Sequence, residues 1–187
     1  MYMNNTHSIK GNVISDVNID LFARIVNNDE AAPEFELRLR ENELKNNWVL
    51  INAENAIVGR LAAYISQLVR GKNKNNYTPS MDQGDFVIVT NIEKIKFSGK
   101  KINDKKYYRH TGYPGGIKTN TPNDLLKKKP EEILKLAVKR MLPGGPLAKK
   151  QLSKLKIYKG DKHPHEAQNL KVINFTNLNS KNKISIN

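Results

Sequence analysis

The sequence predicts an α/β domain with parallel strands, and three consecutive segments carry this prediction. Residues 48–53 (Trp-Val-Leu-Ile-Asn-Ala) form a short, nearly continuous apolar run, as expected for a strand covered on both faces. Residues 85–90 (Asp-Phe-Val-Ile-Val-Thr) form a second such run. Between them lies a predicted helix that ends near Gly71 and whose apolar stripe consists of Ile57, Leu61, Ile65, Leu68 and Val69. Strand, helix and strand in this order predict a right-handed βαβ unit.

The remaining elements follow from turn and capping signals. Residues 95–111 predict an irregular basic hairpin with a turn at 98–101. Thr121 as N-cap and Pro122 at the next position predict a short helix that stops before Pro130. A longer helix begins at Pro130, with acidic residues in its first turn and basic residues in its last turn, and ends at 143–146 (Pro-Gly-Gly-Pro). We expect a further short helix, a strand around 155–158, and then a tail rich in Asn and Lys.

The charge is distributed unevenly along the 187 residues. The formal net charge is +14, but residues 1–47 hold eight acids against five bases, whereas residues 48–187 hold 27 bases against ten acids. A surplus of this size favours a polyanionic partner. No apolar run reaches the 18 or so residues that a membrane-spanning helix needs, so we expect no membrane insertion. The chain contains no cysteine, which excludes disulfides and thiolate metal sites.

These differences divide the chain into three predicted parts: an acidic N-terminal extension (1–47), a basic α/β domain (48–173) and a C-terminal tail (174–187). In the extension, the alternation of residues 34–40 predicts one short strand. The extension lacks the composition of a transit peptide and the apolar core of a signal peptide, so we expect no cleaved leader. A solvated tail is one interpretation. The other is that a partner surface orders the segment, because a polar tail cannot offset its ordering entropy by self-burial.

The glycine-rich and catalytic patterns do not support an enzyme. Gly71-Lys72 and Gly99-Lys100 resemble phosphate loops, but neither has the required Gly five positions earlier or Ser/Thr after the Lys. We expect such glycines to serve turns. His163 and His165 could form half of a metal site, but the other ligands are lacking. We therefore expect no catalytic residue, no metal site and no cofactor, apart from Mg²⁺ carried by bound RNA.

Basic clusters interleaved with aromatic residues are the positive signal. Tyr and His beside Arg provide stacking surfaces for unpaired bases, which suits RNA loops better than duplex DNA. An RNA-processing enzyme and a DNA-binding protein remain as alternatives. The residues expected to contact RNA are Arg60, Arg70, Lys72, Lys74, Tyr77, Lys100, Lys101, Lys105, Lys106, Tyr108, Arg109, His110, Thr111, Lys118, Lys139, Arg140, Lys149, Lys150, Lys154, Lys156, His163 and His165.

Residues 48–173 also resemble the large-subunit ribosomal protein L-thirteen family of bacterial and organellar type. The longest matching stretches are 58–62 (Val-Gly-Arg-Leu-Ala), 106–112 (Lys-Tyr-Tyr-Arg-His-Thr-Gly), 137–143 (Ala-Val-Lys-Arg-Met-Leu-Pro) and 163–168 (His-Pro-His-Glu-Ala-Gln). Shorter matches lie at 48–50, 70–72, 77–79, 84–85, 115–118 and 145–147. The resemblance implies a three-layer α/β/α fold with a small, mostly parallel sheet, binding to large-subunit ribosomal RNA, and a role in subunit assembly.

Two departures from the family pattern affect local contacts. Gly144 replaces a frequent Lys and Arg140 replaces a frequent Gly. The N- and C-terminal extensions, with their Asn- and Lys-rich composition, resemble those of organellar ribosomes. We therefore expect a ribosomal location in the mitochondrion, with the bacterial cytoplasm or another organelle as alternatives. Expected partners are large-subunit ribosomal RNA and neighbouring large-subunit proteins, the latter through residues 1–47.

Overall fold

The computed structural model describes residues 46–183, so the strand predicted at 34–40 lies outside the described residues. The strands are β1 (Trp48–Asn52), β2 (Phe86–Thr90), β3 (Tyr107–His110), β4 (Ile117–Asn120), β5 (Leu155–Ile157) and β6 (Leu170–Ile173). The helices are α1 (Val58–Arg70), α2 (Lys101–Asp104), α3 (Pro122–Lys128), α4 (Pro130–Met141), α5 (Pro146–Ser153) and α6 (Phe175–Leu178). Two 3₁₀ turns, Ile92–Lys94 and Ser180–Asn182, complete the described part.

Four strands form one parallel sheet in the order β5-β2-β1-β6. Val49 of β1 is the partner of Val87 in β2 and of Lys171 in β6. The prediction of an α/β fold built on a parallel βαβ unit is confirmed. The helices predicted after Thr121 and Pro130 are also present, as are the short helix and strand that follow them.

One face of the sheet forms the main hydrophobic core. Val49, Ile51, Val87 and Val89 are buried there together with the apolar stripe of α1, and α4 packs against α1. Leu61 and Ile65 of that stripe are fully buried, as the helical spacing predicted, whereas Ile57 is the N-cap residue and is only partly buried. Burial of each large aliphatic side chain stabilises the fold by about 1.5–3 kcal/mol, so this layer holds the sheet and helices together.

Aromatic residues lie on the opposite side of the sheet, because successive side chains of a strand point to opposite faces. Trp48 stacks on Phe86 with ring centroids 4.4 Å apart and an interplanar angle of 12°. His165, from the segment that joins β5 to β6, approaches Trp48 at 5.3 Å between centroids. This contact fixes the loop that carries the two histidines singled out in the sequence.

The basic hairpin lies later in the chain than predicted. Strands β3 and β4 pair in antiparallel fashion, whereas residues 101–104 form a single helical turn and Lys96 bridges to Ile57. Positive φ angles at Gly112 (+97°) and Gly115 (+71°) make the hairpin turn possible, since glycine adopts them without steric cost. The hairpin turn therefore lies at residues 112–116, and the predicted hairpin span of 95–111 was wrong.

Residues 174–183, which the sequence assigned to a tail, pack against the α/β domain. Phe175 is 3% exposed and its ring lies 5.5 Å from that of Tyr64 on α1. The side-chain amide of Asn182 donates to the Phe175 carbonyl, and the Asn182 carbonyl accepts from the amide of Ile57. The Tyr64–Phe175 ring contact, the hydrogen bond between Ile57 and Asn182, and the bridge between Ala56 and Lys183 place this segment beside the start of α1.

Candidate nucleic-acid interface

The last residue of α1 and the loop between α1 and β2 carry four of the predicted cationic and aromatic residues on a constrained backbone. Gly71 ends α1 in the left-handed conformation, with φ of +80°. The Arg70 guanidinium donates to the Tyr77 hydroxyl at 3.0 Å, and Lys74 Nζ lies 2.7 Å from Asp85 Oδ1. Lys72 is exposed on the same loop. These contacts fix the backbone that carries the exposed Lys72 and the ring of Tyr77.

A buried lysine, Lys154, binds the end of this loop that precedes β2. Lys154 is 6% exposed, and its ammonium donates to Asp82 Oδ1 at 2.8 Å and to the Gly84 carbonyl at 2.9 Å. We call Asp82, Asp85, Lys74 and Lys154 the lysine–aspartate cluster. Because the Lys154 ammonium is buried and paired, it cannot face RNA, and the structure corrects the sequence prediction at this position.

The hairpin of residues 107–120 is exposed on nearly all of its surface. Tyr107 is buried, whereas every other residue of β3 and β4 is exposed, including Tyr108 at 64% and Ile117 at 62%. Strand alternation places Tyr107 and Arg109 on one face and Tyr108 and His110 on the other. The hairpin thus has a cationic face and a face with an aromatic ring available for stacking.

Two cations lie directly opposite each other on that hairpin. Arg109 pairs with Lys118 across the strands, and neither has an ion-pair partner among residues 46–183. Like charges in facing positions destabilise a two-stranded sheet, which is marginally stable in water by itself. An anion between or beside the two side chains would relieve this repulsion. Lys106 and Thr111 flank the same strand, and the Thr111 amide donates to the Gly116 carbonyl at 2.9 Å.

Most of the other predicted cations converge on two cavities. The first, of about 590 Å³, brings together Arg60, Lys101, Lys105 and Arg140, which the sequence separates by as many as 80 positions. Burial raises the pKa of the Tyr107 hydroxyl in its wall above the ordinary value, and the positive charge of Arg140 opposes part of that rise. Lys100 lies next to Lys101 and is exposed.

The second cavity, of about 560 Å³, lies beside α4, α5 and β5 and contains Lys139, Lys149 and Lys156. Lys135 also lines it. No sequence signal marks this residue, because a single lysine on a helix is usually solvated. Lys150 is exposed on α5, outside the lining. The basic runs of α4 and α5, which are separate in the sequence, therefore form one concave cationic surface.

The histidine segment is held by its own contacts. His165 Nε2 and the Tyr158 hydroxyl are 2.8 Å apart and share a hydrogen bond, while His163 is partly buried. Within residues 46–183, no group of three His, Asp or Glu side chains could hold a metal ion. In that same part of the chain, no helix has the length and apolarity to cross a membrane.

The ten acids of the α/β domain are largely used inside the protein. Asp82 and Asp85 belong to the lysine–aspartate cluster, Asp124 caps α3, and Asp161 accepts a hydrogen bond from Asn91. Residues 48–187 contain 27 lysines and arginines, and all of them lie within the described residues 46–183. Among these described residues, only four of the 27 form ion pairs: Lys74, Lys94, Lys129 and Lys154. The surface consequently retains a large excess of positive charge.

Sequence comparison agrees with this geometry. The profile of the family described as Ribosomal protein L13 matches residues 46–164. The chain belongs to the ribosomal protein L13 family. The L13 family is a family of ribosomal proteins and not of enzymes.

Individual L13 relatives match over most of their length. The large ribosomal subunit protein uL13 of Neorickettsia sennetsu is 53% identical over 146 residues, which cover 78% of this chain and 96% of the relative. The protein of the same name from Wolbachia pipientis subsp. Culex pipiens is 51% identical over 146 residues, which again cover 78% of this chain and 96% of the relative. That of Pelobacter propionicus is 54% identical over 130 residues, covering 70% of this chain and 92% of the relative.

Proposed function

We propose that this protein is a structural constituent of the large ribosomal subunit, which binds large-subunit ribosomal RNA and supports its folding and assembly. The relatives that it matches over more than nine-tenths of their length are named large ribosomal subunit proteins. Its partners are ribosomal RNA and neighbouring large-subunit proteins, the latter through residues 1–47. It needs no cofactor beyond the Mg²⁺ that accompanies folded RNA.

The hairpin carries this proposal. The facing Arg109 and Lys118 side chains repel each other in the isolated protein, and the exposed ring of Tyr108 lies on the opposite face. A phosphate beside the two cations relieves their repulsion, and an unpaired base stacks on the tyrosine ring. RNA supplies both groups in one ligand.

The RNA-binding residues that we propose are those predicted from the sequence, with Lys154 removed. The α/β core holds the α1–β2 loop, the hairpin, the two cavities and the histidine segment at fixed separations. RNA segments distant in sequence can then be brought together on one rigid surface. Each phosphate that a lysine or arginine neutralises releases condensed counterion, so affinity falls as salt rises.

Co-sedimentation with ribosomal subunits tests the proposal. The full chain should sediment with large subunits at low ionic strength and dissociate from them as salt increases. A plot of log affinity against log salt concentration should fall with a slope of roughly −0.7 to −0.9 for each phosphate contact. Binding of the isolated protein to large-subunit RNA should show the same dependence. A protein that ignores both large subunits and their RNA at low ionic strength contradicts the proposal.

The same proposal gives the protein no catalytic role, and the two alternatives have separate tests. Incubation of the pure protein with ribosomal RNA and Mg²⁺ should leave the RNA unchanged, whereas cleavage or modification would support an RNA-processing enzyme. In competition, structured RNA should displace duplex DNA from the protein. Preference for duplex DNA would support a DNA-binding protein instead.

We place the protein in the mitochondrial ribosome, with the bacterial cytoplasm and another organelle as the alternatives. Support comes from the acidic extension before the family match, the Asn- and Lys-rich composition, and the similarity to bacterial relatives that include Neorickettsia and Wolbachia. Fractionation of the source cells tests this location, since the protein should co-purify with mitochondrial large subunits. Recovery with another class of ribosome would contradict it.

A further inference from the structure

The first cationic cavity has a composition that suits one particular ligand. It lies between the start of α1, the end of α4 and residues 97–107, and has a volume of about 590 Å³. Among the described residues that line it, none is acidic. Its cations are Arg60, Lys101, Lys105, Arg140 and Lys181. Five positive charges with no counter-charge in the lining indicate an anionic ligand.

Apolar and aromatic groups lie between these cations. Phe97, Tyr107 and Met141 line the cavity, and Lys105 Nζ lies 5.3 Å from the centre of the Tyr107 ring. An inorganic anion makes no favourable contact with apolar and aromatic side chains. A nucleotide suits both parts of the cavity, because its flat base stacks on aromatic side chains and its charged phosphate binds the cations.

The start of α1 adds unpaired hydrogen-bond donors to the cavity wall. The N-cap residue Ile57 makes no side-chain cap, and the Val58 amide donates to the Lys96 carbonyl at 3.0 Å. The amides of Gly59 and Arg60, which both line the cavity, have no acceptor among residues 46–183. Such first-turn amides lie at the positive end of the helix dipole and bind phosphate.

Packing among residues 46–183 gives no reason for glycine at position 59. A Cβ atom at this position would meet nothing within 4 Å, and the backbone φ is not positive. Glycine also stabilises a helix less than alanine does. Close approach of a ligand to the backbone is a physical reason to keep glycine here.

We propose that this cavity binds a single unpaired nucleotide of the bound RNA, with its base against Phe97, Tyr107 and Met141. The phosphate accepts hydrogen bonds from the amides of Gly59 and Arg60, and the surrounding lysines neutralise the neighbouring phosphates. This inference rests on the proposed function, since it assigns one element of the RNA to one site on the protein.

Gly59→Ala tests the cavity, with Gly144→Ala as its matched control. A Cβ at Gly144 also meets nothing within 4 Å and its φ is also not positive, but Gly144 does not line the cavity. The probes are labelled RNA hairpins with one unpaired nucleotide in the stem, made with each of the four bases, a fully paired hairpin, and free nucleoside monophosphates. Affinities are measured with the full chain at low ionic strength, and melting temperatures are recorded for each variant.

The wild type should bind at least one hairpin with an unpaired nucleotide more tightly than the paired hairpin by about fivefold or more, since fivefold is the lower end of what stacking of one base provides. Gly59→Ala should abolish this preference without lowering the melting temperature, and Gly144→Ala should retain it. Met141→Ala, at an exposed position of the cavity, should reduce the preference severalfold.

Equal affinity of the wild type for paired and unpaired hairpins would overturn the inference, as would an unchanged preference in Gly59→Ala. Free nucleoside monophosphates that bind as tightly as the hairpins would assign the cavity to a free nucleotide and overturn the RNA assignment. If the wild type still sediments with large subunits in any of these cases, only the cavity inference fails. If it also ignores subunits and ribosomal RNA, the proposed function fails with it.

Discussion

The lysine–aspartate cluster and the hairpin contain the same type of charged residue in opposite environments. In the cluster, Lys154 is buried and its ammonium donates hydrogen bonds to oxygen atoms of Asp82 and Gly84. In the hairpin, Arg109 and Lys118 face each other in solvent with no carboxylate partner within residues 46–183. The first arrangement stabilises the folded chain, and the second opposes it until an anion is bound. Whether a lysine or arginine in a basic run is available to an anionic ligand therefore depends on whether the fold places a carboxylate beside it.

The largest expected effect concerns the cluster. Removing one partner of a buried ion pair costs about 3–5 kcal/mol, and because Asp82 is 24% exposed we expect Lys154→Met to cost about 3 kcal/mol of unfolding free energy. Lys150→Met, in the same basic run but exposed, should change stability by no more than about 0.5 kcal/mol. Urea unfolding of both variants measures the difference. A loss below about 1 kcal/mol in Lys154→Met would remove the contrast between the two regions.

Sequence reasoning could not separate Lys154 from its neighbours. The run of lysines from 149 to 156 contains four positions that look alike, and the acid that pairs with Lys154 lies 72 residues away. By contrast, strands β1, β2 and β5 and helices α1, α3 and α4 follow from local patterns that the sequence displays directly, although the edge strand β6 was not predicted. Elements set by periodicity and capping were predictable, whereas the pairing of charges depends on tertiary contacts between distant segments.

The second prediction concerns the hairpin. Lys106→Ala combined with Arg109→Ala should weaken binding to large-subunit RNA about tenfold or more at low salt, because two phosphate contacts are lost. The dependence of log affinity on log salt should become less steep by roughly 1.4–1.8. Neither exposed side chain contributes to the core, so the urea midpoint should stay close to that of the wild type.

Lys127→Ala combined with Lys128→Ala is the matched control for this pair. It removes the same number of charges from an exposed position on α3, outside the proposed interface. RNA titrations at several salt concentrations compare the two double variants. Equal losses of affinity would mean that total charge, and not the hairpin, determines binding.

The position of the hairpin shows a second limit of the sequence. Residues 98–101 carry a Ser-Gly turn signal and residues 112–116 carry Pro-Gly and Gly-Gly, yet only the latter segment connects two strands. The difference lies in what each segment packs against: Lys96 is engaged by hydrogen bonds with Ala56 and Val58, which fixes the chain before the first candidate turn. Likewise, Lys181 and Arg60 meet in one cavity although 120 residues separate them, so no local pattern could join them.

The smallest effect concerns the junction between the hairpin and the helical layer. Thr121 follows β4 directly and caps α3: its hydroxyl donates to the Asp124 carboxylate at 2.6 Å, and the Asp124 amide donates to the Thr121 hydroxyl oxygen at 3.3 Å. Loss of a threonine N-cap costs about 1 kcal/mol, so Thr121→Ala should lower the urea midpoint modestly. RNA affinity should fall too if the cap also orients the hairpin.

Acid titration distinguishes the cap from other contributions. The hydrogen bond from the Thr121 side chain, and then that with its backbone, lowers the pKa of Asp124 below its usual value. A lowered pKa means that the stabilisation is fully present above the pKa of the unfolded chain and is lost as pH falls through the folded-state pKa. Asp124→Asn should therefore be less stable than the wild type at pH 7 and converge with it in acid. A constant difference at all pH values would show that the charge of Asp124 is not what stabilises the junction.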